Sequence, residues 1–140
     1  MVRTNREVNF SALLSQKKVG QHQELGKWGE KLAEEYLEQK GYRVLANNWK
    51  YQRAEIDLIA KKEDVLVFVE VKTRSNSTFG APEEFLSPAQ EVRIISAASD
   101  YMEKHPHEGE IRFDIIAIKY NSEYDFHLHH YEDAFFPGLE

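Results

Sequence analysis

The segment Val65-Leu66-Val67-Phe68-Val69 constrains this chain more than any other. Five consecutive apolar residues give both faces of an extended strand something to bury, so this strand belongs at the centre of a sheet with a helix packed on each side. Directly after it comes Glu70-Val71-Lys72, whose acid and base lie two residues apart and therefore leave the strand on the same side. A central strand that runs from core residues straight into charged ones is a frame for a site.

The surrounding pattern supplies the helices and the remaining strands. From about Gln23 to Lys40, Leu25, Trp28, Leu32 and Tyr36 recur at helical spacing, Ala33 and Leu37 widen the stripe, and Gly41 supplies the stop. Tyr42 to Lys50 and Glu55 to Ala60 read as strands, and the polar turn Lys61-Lys62-Glu63-Asp64 leads into a third, Val65 to Lys72. A second helix begins at Ser87-Pro88-Ala89-Gln90, where serine caps, proline suits the first turn and glutamine reaches back; Ile94, Ala98, Tyr101 and Met102 line one face. Ile111 to Tyr120 and Tyr124 to Tyr131 close the sheet around Asn121-Ser122-Glu123. The expected order is helix, three strands, helix, two strands: an α/β fold with a mixed central sheet flanked by helices. Residues 1–20 are polar and basic with little periodicity and read as a loosely held arm, leaving 21–137 as one domain.

Composition narrows the function. With 140 residues and 41% hydrophobic content the chain matches one domain with one core. No apolar run approaches a membrane span and the first twenty residues lack a signal-peptide core, so the expectation is a cytoplasmic protein with no membrane partner. Cysteine is absent, which excludes disulfides, thiolate catalysis and thiolate zinc sites. The formal charge of −6 argues against coating nucleic acid through a basic face. It leaves room for a nuclease, because carboxylates gathered around a divalent cation add negative charge that the ion offsets.

Glu55-Ile56-Asp57 places two carboxylates on one strand face, as Glu70-Val71-Lys72 places its acid and base. With the hairpin closed at Lys61 to Asp64, Asp57 falls opposite Phe68 or Glu70, and either register gathers Asp57, Glu70 and Lys72. Burying neighbouring carboxylates is costly unless a cation or hydrogen bonds compensate. Mg²⁺ or Mn²⁺ answers that cost: Asp57, Glu70 and the Val71 carbonyl serve as ligands, with open positions for phosphate and water. Lys72 then orients the nucleophile or stabilises the transition-state charge. Glu30 sits ~20° around the first helix from Leu37 at ~100° per residue, so it is a candidate fourth acidic group; Glu34 and Glu38 point further out.

At these residues the chain resembles the YraN family of bacterial proteins, through Gly26-Lys27-Trp28-Gly29-Glu30, Gly41-Tyr42, Glu55-Ile56-Asp57-Leu58-Ile59-Ala60 and Phe68-Val69-Glu70-Val71-Lys72-Thr73-Arg74. Phe79-Gly80, Ala97-Ala98, Arg112-Phe113-Asp114-Ile115-Ile116 and Asp133-Ala134-Phe135 extend the match from about Gly20 to Pro137. That family is similar to archaeal Holliday-junction resolvases and to PD-D/E-x-K nucleases. The resemblance implies a restriction-endonuclease-like core, with Asp57, Glu70 and Lys72 at the signature positions and Glu30 at the helical acidic one. It also implies DNA as partner, with branched DNA favoured, and a homodimer if two strands are to be cut symmetrically. Ile56 stands at the signature's proline, Ala54 replaces the usual glycine, and Gln90 replaces a commonly basic residue.

Several residues have two readings at this point. Lys27, Arg53 and Arg74 flank the site and either contact phosphates or are solvated surface charge. Gln90 is a capping-box partner, a phosphate contact, or both. His127, His129 and His130 suggest zinc only faintly, since spacing supplies no further ligand. Trp28 and Trp49 read as packing rather than base stacking. The activity expected is metal-dependent hydrolysis of DNA phosphodiesters; the alternative is a protein of the same fold that binds nucleic acid or a repair partner without cutting.

Overall fold

The structure, a computed structural model, describes residues 22–75 and 85–135. The arm expected over residues 1–20 and the Phe79-Gly80 pair lie outside the described residues. Helix α1 (His22–Gln39) is followed by strands β1 (Arg43–Tyr51), β2 (Ala54–Lys62) and β3 (Val65–Ser75), helix α2 (Pro88–Lys104), and strands β4 (Ile111–Ser122) and β5 (Asp125–Tyr131). They form one mixed sheet of order β1-β2-β3-β4-β5, in which only β3 and β4 run parallel, joined across by α2. This is the arrangement of a restriction-endonuclease-like core.

Strand β3 is central, and its apolar run divides between two cores. Val67, Val69 and Val71 pack toward α1, among Trp28, Leu32 and Leu37. Leu66 and Phe68 pack toward α2, among Ile94, Ala97 and Tyr101. The β2–β3 turn is tighter than the four-residue stretch expected. Lys62 already pairs with Val65, leaving Glu63-Asp64 as the loop with Glu63 in the left-handed region (φ 55°), and β3 runs three residues past Lys72 along β4.

Both helices end as their sequences direct. Gly41 takes φ 95°, and the Tyr42 and Gly41 N–H groups donate to the carbonyls of Leu37 (2.9 Å) and Glu38 (3.1 Å), a Schellman stop that turns Tyr42 into the interior. At α2, the Gln90 N–H donates to Ser87 Oγ (3.1 Å) and the Ser87 N–H to Gln90 Oε1 (2.8 Å), with Pro88 opening the first turn.

One polar cluster is built into the α1 side of the core. Asp114, 0% exposed, accepts from Arg112 Nε and Nη2 (both 2.9 Å), from His130 Nε2 (2.8 Å) and from the Asp133 backbone N–H (2.9 Å). Arg112 Nη2 also donates to the Tyr42 hydroxyl (2.6 Å), and His130 Nδ1 lies 3.0 Å from that of Tyr36. The cluster thus ties the end of α1 to β4, β5 and the segment after β5.

Candidate metal centre

The β2–β3 ladder runs from the hairpin turn to Leu58 opposite Val69 and stops there. Beyond that rung the Asp57 carboxylate replaces the missing backbone partner: its Oδ2 accepts the Val71 N–H at 2.8 Å. The aspartate is thereby fixed beside Glu70, close enough for the two carboxyl groups to share a hydrogen bond, which requires a proton on one of them. On β3, Glu70 and Lys72 share a side, with Lys72 Nζ 3.8 Å from Glu70 Oε2 and the side chains 14% and 17% exposed for Lys72 and Glu70.

Asp57 reaches this place through an irregularity that strict alternation does not give. Ile56 packs in the α2-side core and Leu58 in the α1-side core, although residues two apart in a regular strand share a face. On the facing strand Asn47 pairs with Leu58 and Trp49 with Ile56, and Asn48 between them takes φ 51°, a conformation asparagine tolerates better than most residues. Asn48 Nδ2 therefore donates to Glu30 Oε1 at 3.3 Å. Sequence reasoning passed over Asn48; the signal available was an Asn-Asn pair inside a strand pattern that disfavours asparagine.

Glu30 is half-buried and lines a cleft of about 590 Å³ between α1 and β1. Glu34, expected to point further out, also lines it. Helix α1 sits close enough for this because Gly29 has no side chain: a Cβ there would collide with Thr73 Oγ1, one residue beyond Lys72. Glu30 and Glu55 bear on Asp57 and Glu70 electrostatically. Among the described residues no three histidine or acidic side chains close into a ready-made cage.

Burial and then the Glu70 charge push the Asp57 carboxyl up to about 8, against the Val71 hydrogen bond. Burial, with Glu30 and Glu55 adding to it, pushes Glu70 up to about 7 against the pull of Lys72. Glu30 is raised as well, by burial first, with the Asn48 hydrogen bond opposing. Two adjoining carboxyl groups that hold protons for want of a counter-charge fit Mg²⁺, which binds through one or two carboxylates and keeps most of its waters. Asp57 and Glu70 would be its direct ligands.

The other expected residues are scattered more widely. Lys27 is exposed on the cleft, Arg53 is exposed in the β1–β2 turn, and Arg74 is exposed at the end of β3 with Nη1 donating to the Thr73 carbonyl (3.1 Å). Gln90 spends its side-chain oxygen on the α2 cap. The three histidines do not converge: His127 is exposed, His129 stacks on Tyr131, and His130 lies between Asp114 and Tyr36. Both tryptophans are packing residues, Trp28 edge-on to Tyr120 and Phe126, Trp49 edge-on to Tyr101 with Nε1 donating to Asp100 (3.2 Å).

A mixed five-stranded sheet between two helices, with an acidic pair and a lysine where two central strands part, places the chain in the restriction-endonuclease-like class of α/β domains. Residues 29–118 match the model of the uncharacterised protein family UPF0102. Over 118 residues the chain is 48% identical to a UPF0102 protein of Flavobacterium psychrophilum, covering 84% of this chain and 98% of that one. A UPF0102 protein of Flavobacterium johnsoniae is 44% identical over 122 residues (84% and 98%), and one of Bacteroides thetaiotaomicron 41% over 121 (86% and 99%). The chain belongs to the UPF0102 family, the YraN family that its motifs resemble.

Proposed function

We propose that this chain is a Mg²⁺- or Mn²⁺-dependent endonuclease that hydrolyses DNA phosphodiester bonds in the cytoplasm, with branched DNA as its preferred form. The observation that carries this reading is the Asp57–Glu70 pair, held together by the Val71 N–H where β2 and β3 part, with Lys72 alongside. When bound, the metal would supply Lewis acidity to a phosphoryl oxygen and an acidified water. Asp57 and Glu70 hold it. The Lys72 ammonium stabilises charge on the phosphorane-like transition state and orients the attacking water. Glu30, steadied by Asn48, adds negative potential on the α1 side, where it bonds to metal-held water rather than to the ion. Lys27, Arg53 and Arg74 contact phosphates on either side of the scissile bond. A symmetric cut in both strands would take two copies of the chain.

The test is incubation of the full chain with plasmid, flap and four-way-junction DNA in Mg²⁺, Mn²⁺ or EDTA, beside Asp57→Ala and Lys72→Ala. Metal-dependent cutting that both substitutions abolish is the expected result. Binding without cutting would instead establish a non-catalytic protein, a reading that the engagement of Gln90 in the helix cap favours, since a commonly basic position then offers phosphate little.

A further inference from the structure

The cleft between α1 and β1 extends the site on one side only. Lys27, Glu30, Lys31 and Glu34 recur on α1 at the spacing of a single helix face, distinct from the stripe buried against the sheet. Opposite them stand Asn47, Asn48 and Lys50 of β1, and the floor is Glu55 and Leu58 of β2, the strand that carries Asp57 between them. Whatever lies along this groove is led to the carboxylate pair.

The walls match a polyanion. Lys27 and Lys31 project from one side and Lys50 from the other, all exposed, and none of the three forms a salt bridge among the described residues. Asn47 and Asn48 offer amide donors and acceptors at mid-depth, and no aromatic ring lines the groove, so recognition there runs through backbone and polar edges rather than base stacking. At about 590 Å³ the space is that of a ligand cleft. It holds a nucleotide or two and excludes a duplex, whose major groove alone is ~12 Å wide.

We infer that this groove binds a single-stranded DNA segment and feeds it to Asp57 and Glu70, so that DNA with an unpaired strand is preferred over fully paired DNA. The inference rests on the nuclease reading for the direction of travel and not for the binding itself. It narrows branched DNA to flaps and splayed arms.

The test uses the full chain carrying Asp57→Asn, in EDTA, with fluorescence anisotropy of a labelled oligothymidine, a splayed-arm duplex and a blunt duplex over a salt series. The single strand and the splayed arm should bind about tenfold tighter than the blunt duplex. Lys27→Gln/Lys31→Gln/Lys50→Gln should weaken single-strand binding roughly tenfold and flatten its log–log salt slope by about 2, from ~0.7 per neutralised contact. The corresponding three arginine substitutions should retain binding. Equal or tighter binding of the blunt duplex, an unchanged slope in the glutamine variant, or no binding of any DNA would overturn the inference. Wild-type cutting assays fail independently: cutting with an indifferent glutamine variant sinks the groove alone, and groove-dependent binding without cutting sinks the nuclease alone.

Discussion

Asp114 and the Asp57–Glu70 pair are all drawn out of water on the same sheet, yet only Asp114 is supplied with donors. Burial alone would raise its carboxyl; hydrogen bonds from His130, Arg112 and the Asp133 backbone outweigh burial and hold it below the usual aspartate range. Asp57 has one backbone donor, Glu70 a lysine at 3.8 Å, and each has the other as a like-charged neighbour. Folding tolerates an uncompensated acidic pair when something outside the chain supplies the compensation. The contrast separates a carboxylate that holds the fold from two that await a cation.

The largest effect that tests this contrast is at the compensated centre. Asp114→Ala leaves Arg112 and His130 without their shared acceptor and should cost about 3–5 kcal/mol in urea unfolding, the range for breaking a buried ion pair from one side. A cost near zero would erase the distinction between the two centres.

The pH dependence should run in opposite senses. Asp57 and Glu70 titrate in the folded protein above their ordinary values, so the stability they contribute is complete below about pH 4 and is lost as pH rises through about 7 and 8. Asp114, held low, contributes stability that is present above its ordinary value and disappears as pH falls through its depressed one. Metal-free chain should therefore lose roughly 2–4 kcal/mol between pH 5 and 9 in denaturant titrations. In Asp57→Asn most of that alkaline loss should vanish, making the variant about 1–3 kcal/mol more stable than wild type at pH 9 in EDTA, unusual for a substitution at a site residue. Smallest of all, millimolar Mg²⁺ should raise wild-type stability at pH 8 by about 1 kcal/mol in thermal melts and leave Asp57→Asn unmoved.

Much of this architecture is local in origin and could be read directly. Val65 to Val69 announced a central strand because both its faces had to be covered, Gly41 stopped α1 because only a residue at ease with positive φ ends a helix that way, and Ser87 with Gln90 formed the cap their spacing describes. Gathering Asp57, Glu70 and Lys72 needed only a hairpin register. The local geometry at Asp57 was hidden because period-two reasoning assumes a regular strand, and the Asn48 rung is irregular. The Asp114 cluster was hidden for a different reason: Tyr36, Tyr42, Arg112 and His130 are far apart in sequence and meet only through the crossover of α2 and the closing of β5. Glu34 faces the cleft because the wall opposite it is β1, which helix periodicity alone does not locate.

The most direct measurement is calorimetric titration of Mn²⁺ into the metal-free chain in buffers of different ionisation enthalpy, which counts protons released as the ion binds. Because Asp57 and Glu70 hold protons near neutrality, binding should release more than about one proton per ion at pH 6.5, falling toward zero by pH 9 and disappearing in Asp57→Asn. Binding with no proton release at pH 6.5, or no binding at either pH, would contradict the account.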